Sequence, residues 1–287
     1  MEPELYLVRY GELGLKSTKI RKRMESVLIK NIQLFHLREG LECLVDREWG
    51  RIFVHTSDHA ATRSILDRVF GITSYSPAWR CEARMESMEK LALKVFEPLA
   101  FEGCGFAVRA RRNYNEAFNS QELERDMGSY LWEHVDGLHV DLTKPDVTLR
   151  LEVRGKDCYV FSEKNPGPGG MPLGTQGSGM VMVKEDKDLA AAWLMMKRGC
   201  RVYPVDMGGN WQELEKWDPE LRCLKEGEAE GWHANCRISS MTSAEFQASP
   251  PEKGEELVFY PLIGLSLEQI DELVEKVKMG GEKKMIL

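Results

Sequence analysis

Residues 167–199 read GPGGMPLGTQGSGMVMVKEDKDLAAAWLMMKRG, a glycine-rich loop running into a short apolar strand and then straight into an amphipathic helix. That order commonly builds a phosphate site, because bare amides at a helix N-terminus offer donors and the positive end of the helix dipole to an anion. Between this strand and helix, however, stand Lys184, Glu185, Asp186, Lys187 and Asp188. None is a glycine that lets backbone approach a phosphate, and three are carboxylates that repel one. The scaffold points to a nucleotide, whereas the loop does not.

A second group of residues suits a polyanion. Lys16 to Arg23 (KSTKIRKR) holds five cations and no anion, and Lys16, Lys19, Arg21 and Arg23 are its candidate phosphate contacts. The run sits at the start of a helix, where cations oppose the dipole, so a bound phosphate is one compensation and a solvated basic face is the other. Phe106 to Tyr114 (FAVRARRNY) reads as a strand whose alternation sets Phe106 and Val108 on one face and Arg109 and Arg111 on the other, with Arg112 beside the turn. Net charge is −7, but it is unevenly spread: residues 1–57 carry ten basic and eight acidic groups, and residues 171–287 carry fourteen and twenty. A uniformly basic nucleic-acid binder is excluded, and a local grip is not.

The seven cysteines, at 43, 81, 104, 158, 200, 223 and 236, form no CxxC pair, so buried free thiols are expected. His233 and Cys236 share an HxxC spacing without a second ligand pair, and no metal is assigned. No run of about 18 apolar residues and no basic-then-apolar start is present, which gives the expectation of a cytoplasmic chain without a membrane span.

Elements that could position these groups follow from periodicity. Leu5–Tyr10 alternates as a strand, and Ser17 or Thr18 opens a helix to about Leu37. Strands are expected at Leu41–Val45 and Arg51–His55, a helix at His59–Phe70, a strand at Ile72–Cys81 and a helix at Ser87–Leu99. A strand at Gly105–Ala110, a helix at Ser120–His134 and paired strands near Val147–Val153 and Asp157–Ser162 come next. After a Pro/Gly linker, strand Met180–Val183, helix Asp186–Arg198 and strand Arg201–Val205 suggest a small parallel sheet. Gly208–Pro251 is acidic and irregular, with Trp211, Trp217 and Trp232 read as plugs of local gaps, before a strand at Leu257–Tyr260 and a helix at Ser266–Lys278. The expected fold is α/β and α+β in three domains, at 1–57, 58–166 and 167–287.

Three separated stretches, LVRYGELGLKS at Leu7–Ser17, FAVRARRNY and GPGGMPLGTQG at Gly167–Gly177, together resemble the tRNA 4-thiouridine synthetase family. NSQELERDMGSYL from Asn119 and DLTKPDVTLRLEV from Asp141 resemble its THUMP pattern. The resemblance implies an N-terminal ferredoxin-like domain and a THUMP domain that bind tRNA, followed by a Rossmann-like PP-loop domain that adenylates a uridine for sulfur transfer. The family's PP-loop reads SGGxDS where this chain has VKEDKD, and no position supplies its Ser, Gly, Gly and Ser. Neither Cys223 nor Cys236 has the spacing of a sulfur-relay pair.

The reading favoured by the residues is a tRNA-binding, accessory member of that family without adenylation or sulfur transfer of its own, with no catalytic residue and no cofactor. One alternative is an active tRNA sulfurtransferase using ATP and magnesium through an altered loop or a separate catalytic or sulfur-donor subunit. Another is an RNA-free scaffold whose acidic C-terminal domain docks a protein partner, and a homodimer is left open.

Overall fold

A computed structural model describes residues 2–11, 17–48, 50–113, 119–251, 254 and 256–281. In chain order it contains β1 (Leu5–Tyr10), α1 (Thr18–Arg38), β2 (Cys43–Glu48), β3 (Arg51–Thr56), α2 (His59–Leu66) and β4 (Ile72–Glu82). There follow α3 (Met85–Phe96), β5 (Gly105–Asn113), α4 (Ser120–His134), β6 (His139–Val140), β7 (Val147–Arg154), β8 (Asp157–Phe161) and β9 (Asn165–Pro166). The last part holds β10 (Ser178–Val183), α5 (Asp186–Lys197), β11 (Arg201–Asp206), α6 (Glu226–Ala229), β12 (Cys236–Ile238), α7 (Ser243–Ala248), β13 (Val258–Phe259) and α8 (Leu267–Met279). Two compact units arise, residues 1–8, 53–56 and 75–165, and residues 9–52, 57–74 and 166–287.

In the first unit the strands run in the order β3, β1, β4, β8, β7, β5, β6. β5 pairs parallel with β7 along its length, while β7 and β8 form an antiparallel hairpin through Gly155. Alternation in β5 buries Phe106 and Val108 and exposes Arg109 and Arg111, as its sequence implies. The apolar set packs with Met88 and Phe96 of α3, Leu123, Met127 and Leu131 of α4, and Leu149 and Leu151 of β7. α4 starts at Ser120 because the Asn119 side chain accepts a hydrogen bond from the Gln121 amide at 3.0 Å, satisfying one orphan donor of the first turn. A separate cluster joins Leu5, Leu7, Phe53, Ala78, Tyr159 and Phe161, with Phe53 and Tyr159 stacked at 4.7 Å.

The second unit holds a four-stranded sheet in the order β11, β10, β12, β13, all parallel. Strand β12 is absent from the sequence expectation, since three residues inside an irregular acidic stretch carry no periodicity. Helix α5 presents Leu189, Ala190, Ala191, Ala192 and Trp193 to this sheet and its surroundings, all fully buried. Trp193 meets Trp217 at 5.3 Å edge-on and Phe70 at 5.5 Å, so the residues just after α2 and the parallel-sheet region share one core. Trp217 also donates its indole N–H to the Val277 carbonyl of α8 at 3.0 Å, which agrees with its reading as a gap-filling tryptophan. α2 stops at Leu66, four residues before the expected end, yet Val69 and Phe70 remain buried in the turn that follows.

Candidate nucleic-acid interface and nucleotide loop

Glycines in the linker look like a phosphate cradle in the sequence, but the fold uses them for close backbone approach. A Cβ at Gly170 would lie 2.1 Å from the Lys197 carbonyl oxygen, and one at Gly167 would lie 2.4 Å from that of Ile72. Gly170 also sits at φ +76°, a left-handed conformation that side chains disfavour. The Met171 amide donates to Lys197 O at 2.9 Å and the Gly174 amide to Gly199 O at 2.9 Å, so this strap is tied to the C-terminal end of α5, opposite the end where a phosphate would bind.

At the other end of α5 the loop between β10 and the helix is occupied by its own side chains. Asp188 Oδ2 accepts the amide of Lys184 at 2.8 Å and that of Glu185 at 2.7 Å, and the Ser240 hydroxyl donates to Asp188 Oδ1. Asp188 is 7% exposed. Lys187 Nζ bridges Glu185 at 3.5 Å and Glu245 at 2.5 Å, while Asp186 pairs with Lys278 at 2.7 Å. The Lys187 ammonium is the largest cause holding the Glu245 carboxyl down at about 2. Gly209 closes the back of the loop, its amide donating to Val183 O at 3.1 Å where a Cβ would clash with that same oxygen at 2.8 Å.

The five loop residues named from the sequence are therefore brought together, and they are committed to one another and to neighbouring elements. A carboxylate already takes donors that a phosphate would need, and Glu185 and Asp186 would face an incoming triphosphate with like charge. These residues do not fit ATP and magnesium in the PP-loop manner. Beside them lies a cavity of about 410 Å³ lined by Met180, Met182, Lys184, Arg237, Ser239 and Val258. Lys187, Glu185 and Asp188 line it too, so three cations and two carboxylates share the cavity with its apolar walls. Arg237 went unremarked in the sequence because it belongs to the short β12.

The cationic candidates fall into two places. In the second unit Lys19 and Arg23 are exposed on the first turns of α1, while Arg21 is half-buried and 3.7 Å from Glu25. Lys16 lies outside the described residues. Among the described residues helix α1 has no side-chain cap at Ser17 and no acid in its first turn, so no carboxylate of that turn serves its N-terminal donors. In the first unit Arg109, Arg111 and Arg112 are exposed on β5. Arg109 donates to the Leu142 carbonyl at 2.8 Å, and its register partner on β7 is Arg150. Burial, and then the neighbouring Arg109 charge, push the Arg150 guanidinium below its ordinary range. Arg150 was not singled out in the sequence, where it reads as one more polar position of an alternating strand.

Next to Arg109 a cavity of about 430 Å³ opens between α4 and β5, lined by Phe106, Val108, Arg125, Trp132, Val140 and Leu142. Trp132 is 60% exposed, which is rare for an indole in a packed domain. Gln121, Arg125, Gly128 and Trp132 recur at helical spacing and share one face of α4, with Gly128 leaving the groove open. That spacing was the available signal. A flat aromatic beside two arginines offers a stacking surface and charge for a nucleotide. Among the described residues no group of three or more His, Cys, Asp or Glu could hold a metal, and no helix is long and apolar enough to cross a membrane.

Comparison with known proteins identifies the domains. Residues 5–76 match the ThiI ferredoxin-like domain and residues 82–163 the THUMP domain. The chain is 42% identical over 210 residues to the probable tRNA sulfurtransferase of Methanosarcina acetivorans, covering 71% of this chain and 51% of that protein. It is 40% identical over 208 residues to the one from Methanobrevibacter smithii, covering 70% and 53%. The chain thus spans about half the length of the curated relatives it matches. Among solved structures, PH1313 from Pyrococcus horikoshii superposes with a TM-score of 0.80 at 27% identity, covering 96% of this chain and 99% of that one. A 4-thiouridine synthetase, solved as an RNA complex with bound ATP, shares the fold with a TM-score of 0.77 at 21% identity, covering 98% and 86%. The architecture is therefore a ferredoxin-like domain, a THUMP domain and a small Rossmann-like parallel-sheet domain.

Proposed function

Carrying the ThiI ferredoxin-like and THUMP domains, the chain belongs with the tRNA sulfurtransferases, and from that premise we propose that it binds tRNA through these two domains and does not adenylate RNA by itself. Asp188 carries the second half of this reading. Its carboxylate holds the Lys184 and Glu185 amides, donors that a PP-loop directs at pyrophosphate. Lys19, Arg21, Arg23, Arg109, Arg111 and Arg112 supply the phosphate contacts, with Lys16 added from the sequence, and Trp132 a stacking surface; such contacts fix register on folded RNA and read few bases. The three-domain division at 57 and 166 is part of the same reading.

A second reading is favoured by the names of the relatives, which are tRNA sulfurtransferases at 40% identity and above. In that case this chain is an active tRNA sulfurtransferase that uses ATP and magnesium, either through its altered loop or through a separate catalytic or sulfur-donor subunit. Filter binding of total tRNA at low salt, run beside ATP–pyrophosphate exchange with tRNA present, distinguishes the possibilities. The expected result is retention of tRNA without exchange by the lone chain. Robust exchange by the lone chain establishes the active enzyme, and exchange that needs a second protein supports the two-subunit form. Absence of tRNA retention at low salt ends the RNA-binding reading and leaves a protein-docking scaffold.

A further inference from the structure

Cys81 on β4 and Cys158 on β8 are directly opposed in an antiparallel pair, where Cys81 faces Cys158 between the pairs Arg80–Tyr159 and Glu82–Asp157. The Ala83 amide donates to Lys156 O at 2.8 Å, which makes Ala83 and, two residues earlier, Cys81 hydrogen-bonded positions of the ladder. Cα atoms at such positions lie about 5.5 Å apart, within the span a disulfide accepts. Both cysteines are free thiols, Cys81 half-buried and Cys158 with 0% exposure. One sulfur is reachable and the other waits behind it.

We propose that Cys81 and Cys158 form a reversible dithiol–disulfide site that accepts oxidising equivalents from low-molecular-weight disulfides, with Cys81 attacking and Cys158 resolving. In the first step the Cys81 thiolate attacks one sulfur of the small disulfide. A mixed disulfide forms on Cys81, the small S–S bond breaks, and the departing thiolate takes a proton from water. In the second step Cys158 gives its proton to water and attacks the Cys81 sulfur, forming the Cys81–Cys158 bond, breaking the mixed disulfide and expelling the second small thiolate, which takes a proton from water. The protein dithiol is oxidised and one small disulfide is reduced to two thiols.

The assignment of roles follows from the surroundings. A hydrogen bond from the Cys158 thiol draws the Cys81 thiol below its usual range, against burial and the charges of Glu4, Asp157 and Glu82. The same contact, with burial, pushes Cys158 well up, so it is the poorer first nucleophile. Burial raises Cys43, Cys200, Cys223 and Cys236, which sets Cys81 apart from them. Side chains at a hydrogen-bonded register stand about 4.5–5.5 Å apart at Cβ, against about 3.5–4.5 Å in a relaxed disulfide. Closure therefore draws β4 and β8 together, and the bond is of the strained, easily reduced kind that suits a reversible site.

Native protein incubated with 2-hydroxyethyl disulfide, a neutral probe that the nearby carboxylates do not repel, is mapped by mass spectrometry after alkylation. The expected result is loss of two of the seven thiols, a single cross-link between the Cys81 and Cys158 peptides, and full recovery with dithiothreitol. Cys158→Ser is expected to stop at a mixed disulfide on Cys81, and Cys81→Ser to leave Cys158 unmodified, with circular dichroism checking each fold. Should a variant fail to fold, the wild-type peptide map decides alone. Retention of all seven thiols, a persistent mixed disulfide on wild-type Cys81, or equal reaction of the other cysteines overturns the proposal.

Discussion

Asp188 does for the first turn of α5 what a bound anion would do, so its removal separates a structural carboxylate from a residual nucleotide site. Asp188→Ala frees the Lys184 and Glu185 amides and the Ser240 hydroxyl. A lost cap costs about 1 kcal/mol, and buried donors left unpaired bring the expected loss to about 1–3 kcal/mol, read as a lower denaturation midpoint. ATP–pyrophosphate exchange is expected to stay absent in this variant, because Glu185 and Asp186 still oppose a triphosphate. At this scale the sequence displayed the acids and their repulsion, but not that one of them turns inward onto the amides. The Glu185-to-Asp188 spacing is that of a capping box and carried the hint. His36 gives a second test. Its ring is 0% exposed, with Nδ1 2.8 Å from Ile32 O and Nε2 3.0 Å from Thr62 Oγ1. Burial, the largest cause, holds it below its ordinary 6.5, so the folded chain binds this proton less readily than the unfolded chain does. Stability from a neutral His36 is then complete above pH 6.5 and is lost as pH falls through that value toward the lower folded pKa. Thermal melts from pH 7.5 down to pH 5 should show a falling midpoint in the wild type and a flatter one in His36→Gln.

Between elements, Phe70 is the contact whose loss should be felt most widely in the second unit. It is 2% exposed and stacks on Trp217 at 5.3 Å while meeting the edge of Trp193. Phe70→Ala removes one ring of a three-ring cluster, and such truncations cost about 3–5 kcal/mol. Urea denaturation followed by tryptophan fluorescence should report it, since both indoles lose their neighbour; a shift under about 1 kcal/mol would mean that the cluster does not hold this core. Element limits were legible wherever a long apolar period met a cap. α4 was expected over Ser120–His134 and occupies those residues, and α5 differs by one residue at its end. β6, β9 and β12 have two or three residues each and exist through pairing with strands distant in sequence, for which a local pattern has no signal. The linker glycines were visible as glycines, but their reason, backbone against Ile72 and Lys197, lies in tertiary contacts.

For the whole molecule, a net charge of −7 gives a polyanion no general attraction, so the proposed RNA binding has to come from a few local cations. That makes the salt dependence of binding a count of them. Each phosphate contact releases counterions and adds about 0.7–0.9 to the slope of log affinity against log salt. Arg109→Gln with Arg111→Gln removes two exposed guanidiniums from β5 without touching the buried Phe106 and Val108 face, so the domain should melt close to the wild type, less the exposed Arg109–Leu142 hydrogen bond, worth about 1 kcal/mol. The expected outcome is a slope shallower by about 1–2, with affinity lowered for all tRNAs alike, because phosphate contacts position the RNA without reading its bases. Trp132→Ala should behave differently. Stacking is worth about 1–3 kcal/mol per base and is nearly blind to salt, so affinity falls while the slope holds. If the arginine pair leaves the slope unchanged while Trp132→Ala flattens it, the charges on β5 are a solvated face and the groove beside α4 is not where a base stacks.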